Sequence, residues 1–424
     1  MKTENKLLFG GRFFIESAQV ITLVITLLTG GCNQSNQDAQ PREAAIEQVD
    51  AEFENLLSQQ INVTLPLNTF ILPNGQNAQA FYDSKIKSKN GRIAASMAVS
   101  GPQEKKNILI TAMIQKGNQM ADRKSNVFTD VSPVQTGIAY SLGSKDYRNL
   151  QSPTQGVCNR NIKFHGIDCS GFVYQMAGAA GIELGNKLNL NAAALSNPTL
   201  WQNAIQAKGE EYKKIRVEDV TKELAGQDSK LETGDIIYFY DKSGVNIHHI
   251  GVITKDAAGR IYFLNSYGNP DQYCETHFTK KGPAALAIAN KTWFGYKYGV
   301  LRFITDISGK WDIYLRCNGQ TYDAVKYTIS FTASKNDDNV TGLGTGTDYD
   351  GETQVNVQFT GQYIRGENLL KGKMLITAPS KPSNNREDSF EIKLKDDDTG
   401  YFNANKVLDN GGCYIQLRLV NLEK

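Results

Sequence analysis

The chain has 424 residues, with 46 Lys and Arg against 44 Asp and Glu, a net charge of +2 and six cysteines. That balance gives no basic footprint for nucleic acid, and 40% apolar content is too high for a disordered chain. One apolar run alone has a membrane-like character, which excludes a multi-span membrane protein, and at roughly 150 residues per domain the length suggests two or three domains.

Lys2, Lys6 and Arg12 precede the apolar stretch Ala18–Leu28, and Thr29-Gly30-Gly31-Cys32 follows. This order of charge, apolar core and small residues reads as a signal peptide over residues 1–31. The polar run 32–41 reads as a tether. Apolar positions Ile46, Val49, Phe53, Leu56 and Leu57 recur at helical spacing, so an amphipathic helix is expected over 42–60. Up to about residue 130 short apolar runs, Ile93–Val99 and Ile108–Ile114 among them, alternate with turn signals. Residues 42–130 are therefore expected to be an accessory region of helix and strand.

Residues 131–307 change character. Gln135–Gly143 and Cys169–Ala180 read as helices. The second places Cys169, Phe172, Val173, Met176, Ala177 and Ala180 on one face. Strands are expected at Ile236–Tyr240, His249–Thr254, Ile261–Asn265 and Gly299–Ile304. Residues 308–424 alternate with period two, as in Trp311, Ile313, Leu315 and Cys317 or Val355, Val357 and Phe359. An antiparallel all-β sandwich or barrel follows, with a wall polymer or a protein as its possible partner. The fold class expected for the whole chain is α+β.

The chemistry is concentrated in His165-Gly166-Ile167-Asp168-Cys169-Ser170-Gly171. Asp168 is a good N-cap, which puts Cys169 in the first helical turn. Unpaired N–H groups and the helix dipole there favour a thiolate, the nucleophilic form of cysteine. A thiolate needs a base, normally histidine. Candidates occur in His248-His249-Ile250-Gly251-Val252, after the turn Thr233-Gly234-Asp235. Asn265, on the next strand, is able to fix the imidazole tautomer.

These motifs resemble the NlpC-type cell-wall cysteine peptidases, which have a compact papain-like fold. The resemblance spans about 170 residues. It implies Cys169 as nucleophile, His249 as base and Asn265 as the orienting residue. Tyr147, Asp168, Ser170 and His248 are expected in the substrate site, although His248 also reads as a solvated neighbour and His165 as a loop residue or subsite wall. Thr233 stands where the family usually has proline, and Asn265 where it more often has histidine. The implied reaction is hydrolysis of an amide in peptidoglycan stem peptides, typically between γ-D-glutamate and a diamino acid. The same triad would also serve an amidase or transacylase, and a silent scaffold is the rival of another class.

Cys32 resembles the lipidated cysteine of a bacterial lipoprotein. That resemblance implies export to the cell envelope and a membrane anchor. No cofactor and no metal are expected, since His248, His249 and His277 lack standard ligand spacing. The Asp337-Asp338 and Asp396–Asp398 runs read as solvated turns. Gly309-Lys310-Trp311 resembles a lipocalin opening. Cys317 with Cys413, and Cys158 with Cys274, are candidate disulfides in an oxidising compartment.

Overall fold

The computed structural model describes residues 53–419, except 54, 55, 58, 64, 86–101, 133, 152–162, 210–211, 225–227, 269–280, 289–294, 318–324, 334–338, 349, 365–368, 394, 397–401 and 409–412. The signal and tether expected over 1–41, Cys32, Cys158, Cys274 and His277 thus lie outside the described residues. Among the described residues no helix is long and apolar enough to cross a membrane.

In chain order the first part comprises β1 (Ile61–Asn62), α1 (Ala78–Lys85), α2 (Pro102–Ala121), β2 (Val127–Phe128), β3 (Gln135–Thr136), β4 (Ala139–Tyr140), β5 (Leu150–Gln151), β6 (Phe164–Ile167) and α3 (Cys169–Ala179). Then come α4 (Ala192–Leu195), α5 (Pro198–Gln206), β7 (Ile215–Asp219), β8 (Ile236–Tyr240), β9 (Ile247–Lys255), β10 (Ile261–Tyr267), β11 (Gly282–Ala287) and β12 (Tyr298–Thr305). A seven-stranded antiparallel sheet has the order β1-β11-β10-β9-β8-β12-β7. Helices α2 and α3 pack on each other and on this sheet.

Both faces of the sheet are covered. On the helical side Ile236, Tyr238, Ile250, Val252 and Leu264 join Phe172, Val173 and Met176 of α3. On the other, Ile237, Phe239, Ile253, Phe263 and Val300 join Phe53, Leu57, Val220 and Leu224. A sheet buried on two faces needs apolar residues at successive positions, as in Ile236-Ile237-Tyr238-Phe239. Phe53, Leu56 and Leu57 are helical, as their spacing predicts.

Two expectations fail. Gln135–Gly143 is not a helix but two short strands, β3 and β4, and a turn. Gly137 (φ 79°) and Gly143 (φ 78°) adopt left-handed backbone, which a right-handed helix does not contain. Ile108–Ile114, read as a short run among turns, is the middle of the 20-residue α2. Nearly every side of α2 is buried, so its sequence lacks a one-sided apolar stripe.

The last part is a meander: β13 (Gly309–Cys317), β14 (Val325–Ala333), β15 (Asn339–Thr347), β16 (Gln354–Ile364), β17 (Leu369–Thr377), β18 (Arg386–Lys393), β19 (Lys395–Asp396), β20 (Phe402–Leu408) and β21 (Cys413–Leu419). The sheet order is β18-β17-β16-β15-β14-β13-β21-β20-β19. Its two ends, β18 and β19, are separated in the chain by residue 394 alone, and β18 also lies against β20. A sheet whose ends are contiguous closes on itself, so this is an up-and-down barrel, one of the two forms expected. Trp311, Tyr327, Ile329, Phe331, Val357 and Phe359 fill the inside. Gly344 allows close coiling of β15 on β14, because a Cβ there would overlap Thr328 O. The ladder sets Cys317 directly opposite Cys413.

Candidate active site

α3 begins as its sequence dictates. Asp168 has extended backbone and its Oδ1 accepts from Gly171 N at 2.5 Å, a side-chain N-cap. Cys169 is the first helical residue, 6% exposed, and its sulfur is a reduced thiol. The whole apolar set predicted for this helix is buried. β4 runs parallel to β6 and places Tyr140 opposite Ile167, two residues before Cys169.

His249 and Asn265 are brought together by β9 and β10. His249 Nε2 lies 3.2 Å from Asn265 Oδ1, and Asn265 Nδ2 donates to Phe263 O at 3.3 Å. The second bond orients the amide, so its oxygen must be the atom facing the ring. Nε2 therefore carries the proton and donates, and Nδ1 keeps its lone pair. That is the tautomer a general base needs. Ser266 Oγ, next along β10, donates to Ile167 O at 2.8 Å. The start of α3 and the His249–Asn265 pair thus converge on the same end of β9 and β10.

Burial governs the electrostatics here. His249 is 1% exposed and Asn265 is fully buried. The desolvated ring holds a proton poorly, and His248 adds to this, while the Asn265 bond opposes it. The pKa of His249 falls to about 3, so the imidazole is neutral at pH 7. Much of the cover comes from Phe53, whose ring centroid lies 5.1 Å from that of His249. Strand alternation puts His249 on the side of Phe239, Ile253 and Phe263, which is the Phe53 side.

His248 differs from expectation. It is not solvated: both ring nitrogens are buried without a hydrogen-bond partner, and its ring stands edge-on to Phe53 at 4.9 Å. Burial lowers its pKa to about 4, against the pull of Asp241. Phe53, beyond the family-like stretch, and a register shift between Phe239 and Tyr240 explain why the sequence pattern missed this.

Asp168 and Ser170, expected in the substrate site, are committed within the protein. Asp168 Oδ2 accepts from Gly143 N at 2.9 Å and from Lys145 Nζ at 2.5 Å. Ser170 Oγ donates to Asp168 Oδ1 at 3.0 Å and accepts from Lys145. Tyr147 lies farther out. Its hydroxyl accepts from Lys116 Nζ at 3.1 Å, and it lines a cleft of about 600 Å³ with Leu65, Leu67, Gln115 and Asn118. Tyr140, overlooked in favour of Tyr147, is the tyrosine held beside the start of α3. The signal for it was its position just before Gly143, whose amide bonds the N-cap.

His165 is not a loop residue but part of β6. Nδ1 bonds Tyr147 O at 2.8 Å, Nε2 bonds Asp130 at 2.9 Å, and the ring stacks on Phe128. It joins the β2–β3 hairpin to the Tyr147 loop. Thr233, in the family's proline position, caps a strand end instead: its Oγ1 accepts from Lys255 N at 3.0 Å. Asp235 in the same turn accepts from Arg302 Nε and Nη2, both at 2.7 Å.

An N-capped helix that begins at a cysteine, and a histidine–asparagine pair on an antiparallel sheet, are the parts that thiol chemistry uses. Residues 137–281 match the model of the NlpC/P60 family. The family comprises cell-wall cysteine peptidases, with peptidoglycan as substrate class and a papain-like fold. No curated protein matches the chain.

Proposed function

We propose that this protein hydrolyses an amide in peptidoglycan stem peptides, with γ-D-glutamyl-diamino acid as the bond, through Cys169, His249 and Asn265. The observation that carries the reading is the His249–Asn265 bond, which leaves Nδ1 as the proton acceptor. In the forward step Nδ1 takes the thiol proton as Cys169 Sγ attacks the carbonyl carbon. The N–H groups at the start of α3 stabilise the resulting oxyanion. The imidazolium then protonates the leaving amine, and a thioester forms. Water, deprotonated by the same nitrogen, attacks the thioester and regenerates the thiol. Asn265 keeps the ring in place throughout.

The N-terminal sequence supports export and a lipid anchor at Cys32, which would hold the enzyme at the cell envelope. Digestion of purified sacculi by wild type and Cys169→Ala tests the reading. Wild type should release fragments ending in D-glutamate, and the variant none. Equal release by both would refute Cys169 as nucleophile, and cleavage at the lactyl amide instead would make the protein an amidase.

A further inference from the structure

The cap of α3 contains a conflict. Asp168 satisfies the helix terminus, but its negative charge sits one residue from a thiol that must ionise. A neutral Ser, Thr or Asn would cap without that penalty. Here the carboxylate is accompanied by a cation that is itself buried: the Lys145 side chain is 9% exposed and that of Asp168 5%.

Lys145 is held with care. Its ammonium bonds both Asp168 Oδ2 and Ser170 Oγ, so it clasps the residues on either side of Cys169. Gln175 Nε2, from the second turn of α3, donates to Lys145 O at 2.8 Å. Asp168 N donates to Ser144 O at 3.1 Å, and Ser144 Oγ donates to Gly166 O at 2.8 Å. Gly171 allows the crossing, since a Cβ there would overlap Ser144 O. The loop 143–145 therefore runs across the start of α3 in one fixed position.

We propose that Lys145 is a positioning residue for Cys169: its buried ammonium balances the Asp168 cap and fixes the first turn of α3, so that the helix end favours the thiolate. The proposal rests on Cys169 being the nucleophile. Long-range attraction between unit charges in a partly buried site is large enough to shift a thiol by about one pH unit. The elements around this turn carry other titratable groups, among them Tyr140 on β4, His165 on β6, His248 and His249 on β9, Lys116 on α2, Tyr174 on α3 and Asp146 beside Lys145. They are unchanged in every variant below.

The test is the pH dependence of iodoacetamide alkylation of Cys169 in the full chain, read by mass on the Cys169 peptide. Lys145→Met should raise the midpoint by about one unit, with roughly tenfold slower labelling below it. Lys145→Arg should restore it, because the charge and the bridge return. Asp168→Asn should move the midpoint the other way, and this keeps the test open if Lys145→Met does not fold. On sacculi, Lys145→Met should lower kcat with KM little changed. A folded Lys145→Met with the wild-type midpoint, or Asp168→Asn with an unchanged or raised one, would overturn the proposal. Alkylation needs no wall substrate, so the expected shifts in a protein that leaves sacculi intact would sink the hydrolase reading and leave Lys145 its role.

Discussion

The seven-stranded sheet and the barrel use antiparallel strands in opposite ways. β16 of the barrel alternates strictly, Val355, Val357 and Phe359 inward and their neighbours outward, so its polar residues meet water. β10 of the sheet is buried at six successive positions, Asn265 and Ser266 included. A polar side chain there must find a partner inside the protein or cost stability. Asn265 finds His249, and Ser266 finds Ile167 O. An exposed polar residue in the barrel wall is therefore weak evidence of function, whereas a buried one in the sheet has to be matched by a partner within the protein.

The sharpest way to break that contrast is His249→Ala. Loss of a general base should reduce kcat on sacculi by about 10²–10⁴-fold, while the barrel substitution Leu343→Ala leaves it intact. Leu343 is 69% exposed. Retained hydrolysis in His249→Ala would move the base elsewhere.

Phe53→Ala should be the most destabilising change named here, by about 3–5 kcal/mol in a denaturant titration. It removes a fully buried ring that packs on Phe239 and on both histidines. Water then reaches His249, so its pKa should rise from about 3 toward the usual 6.5, visible by NMR titration of the ring. A ring that titrates as in wild type would show that Phe53 only packs.

Asn265→Ala should lower kcat by about 10–100-fold, the worth of one hydrogen bond to a group that becomes charged. Gly344→Ala gives the barrel's counterpart, a loss of about 1–3 kcal/mol from overlap with the neighbouring strand. Leu343→Ala, one residue away and pointing out, should stay within about 0.5 kcal/mol. Equal losses at 343 and 344 would contradict the inside–outside assignment of β15.

The smallest effect expected among the two histidines concerns His248. Its folded pKa is depressed to about 4, so the unfolded chain takes up the proton first. The stability it allows is whole above pH 6.5 and is lost as pH falls toward 4; His249 acts in the same direction. His248→Phe should change stability by under about 1 kcal/mol near pH 7 and flatten the acid side of a melting-temperature profile. A steeper acid loss in the variant would show that His248 is charged in the native state.

Much of the site was legible because its signals are local. An N-cap, an apolar helix face and runs of strand residues each span a few positions, and Asp168, Cys169 and β8 fell where those patterns put them. The Cys169, His249 and Asn265 set came from motif resemblance, and the family match covers the same stretch. What the sequence could not carry is non-local. Phe53 reaches the histidines across about 200 residues of chain, and nothing near it announces the contact. α2 is buried all round, so it lacks the stripe that marks a surface helix. Closure of the barrel depends on which strands end up adjacent, and alternation alone does not distinguish a sandwich from a barrel. Residue order by itself determined the helix that begins at Cys169, the strand pattern and the candidate set; packing decided the imidazole tautomer, the dryness of the two histidines and the buried Lys145 clasp, because each depends on groups that only the folded chain brings within a few ångströms.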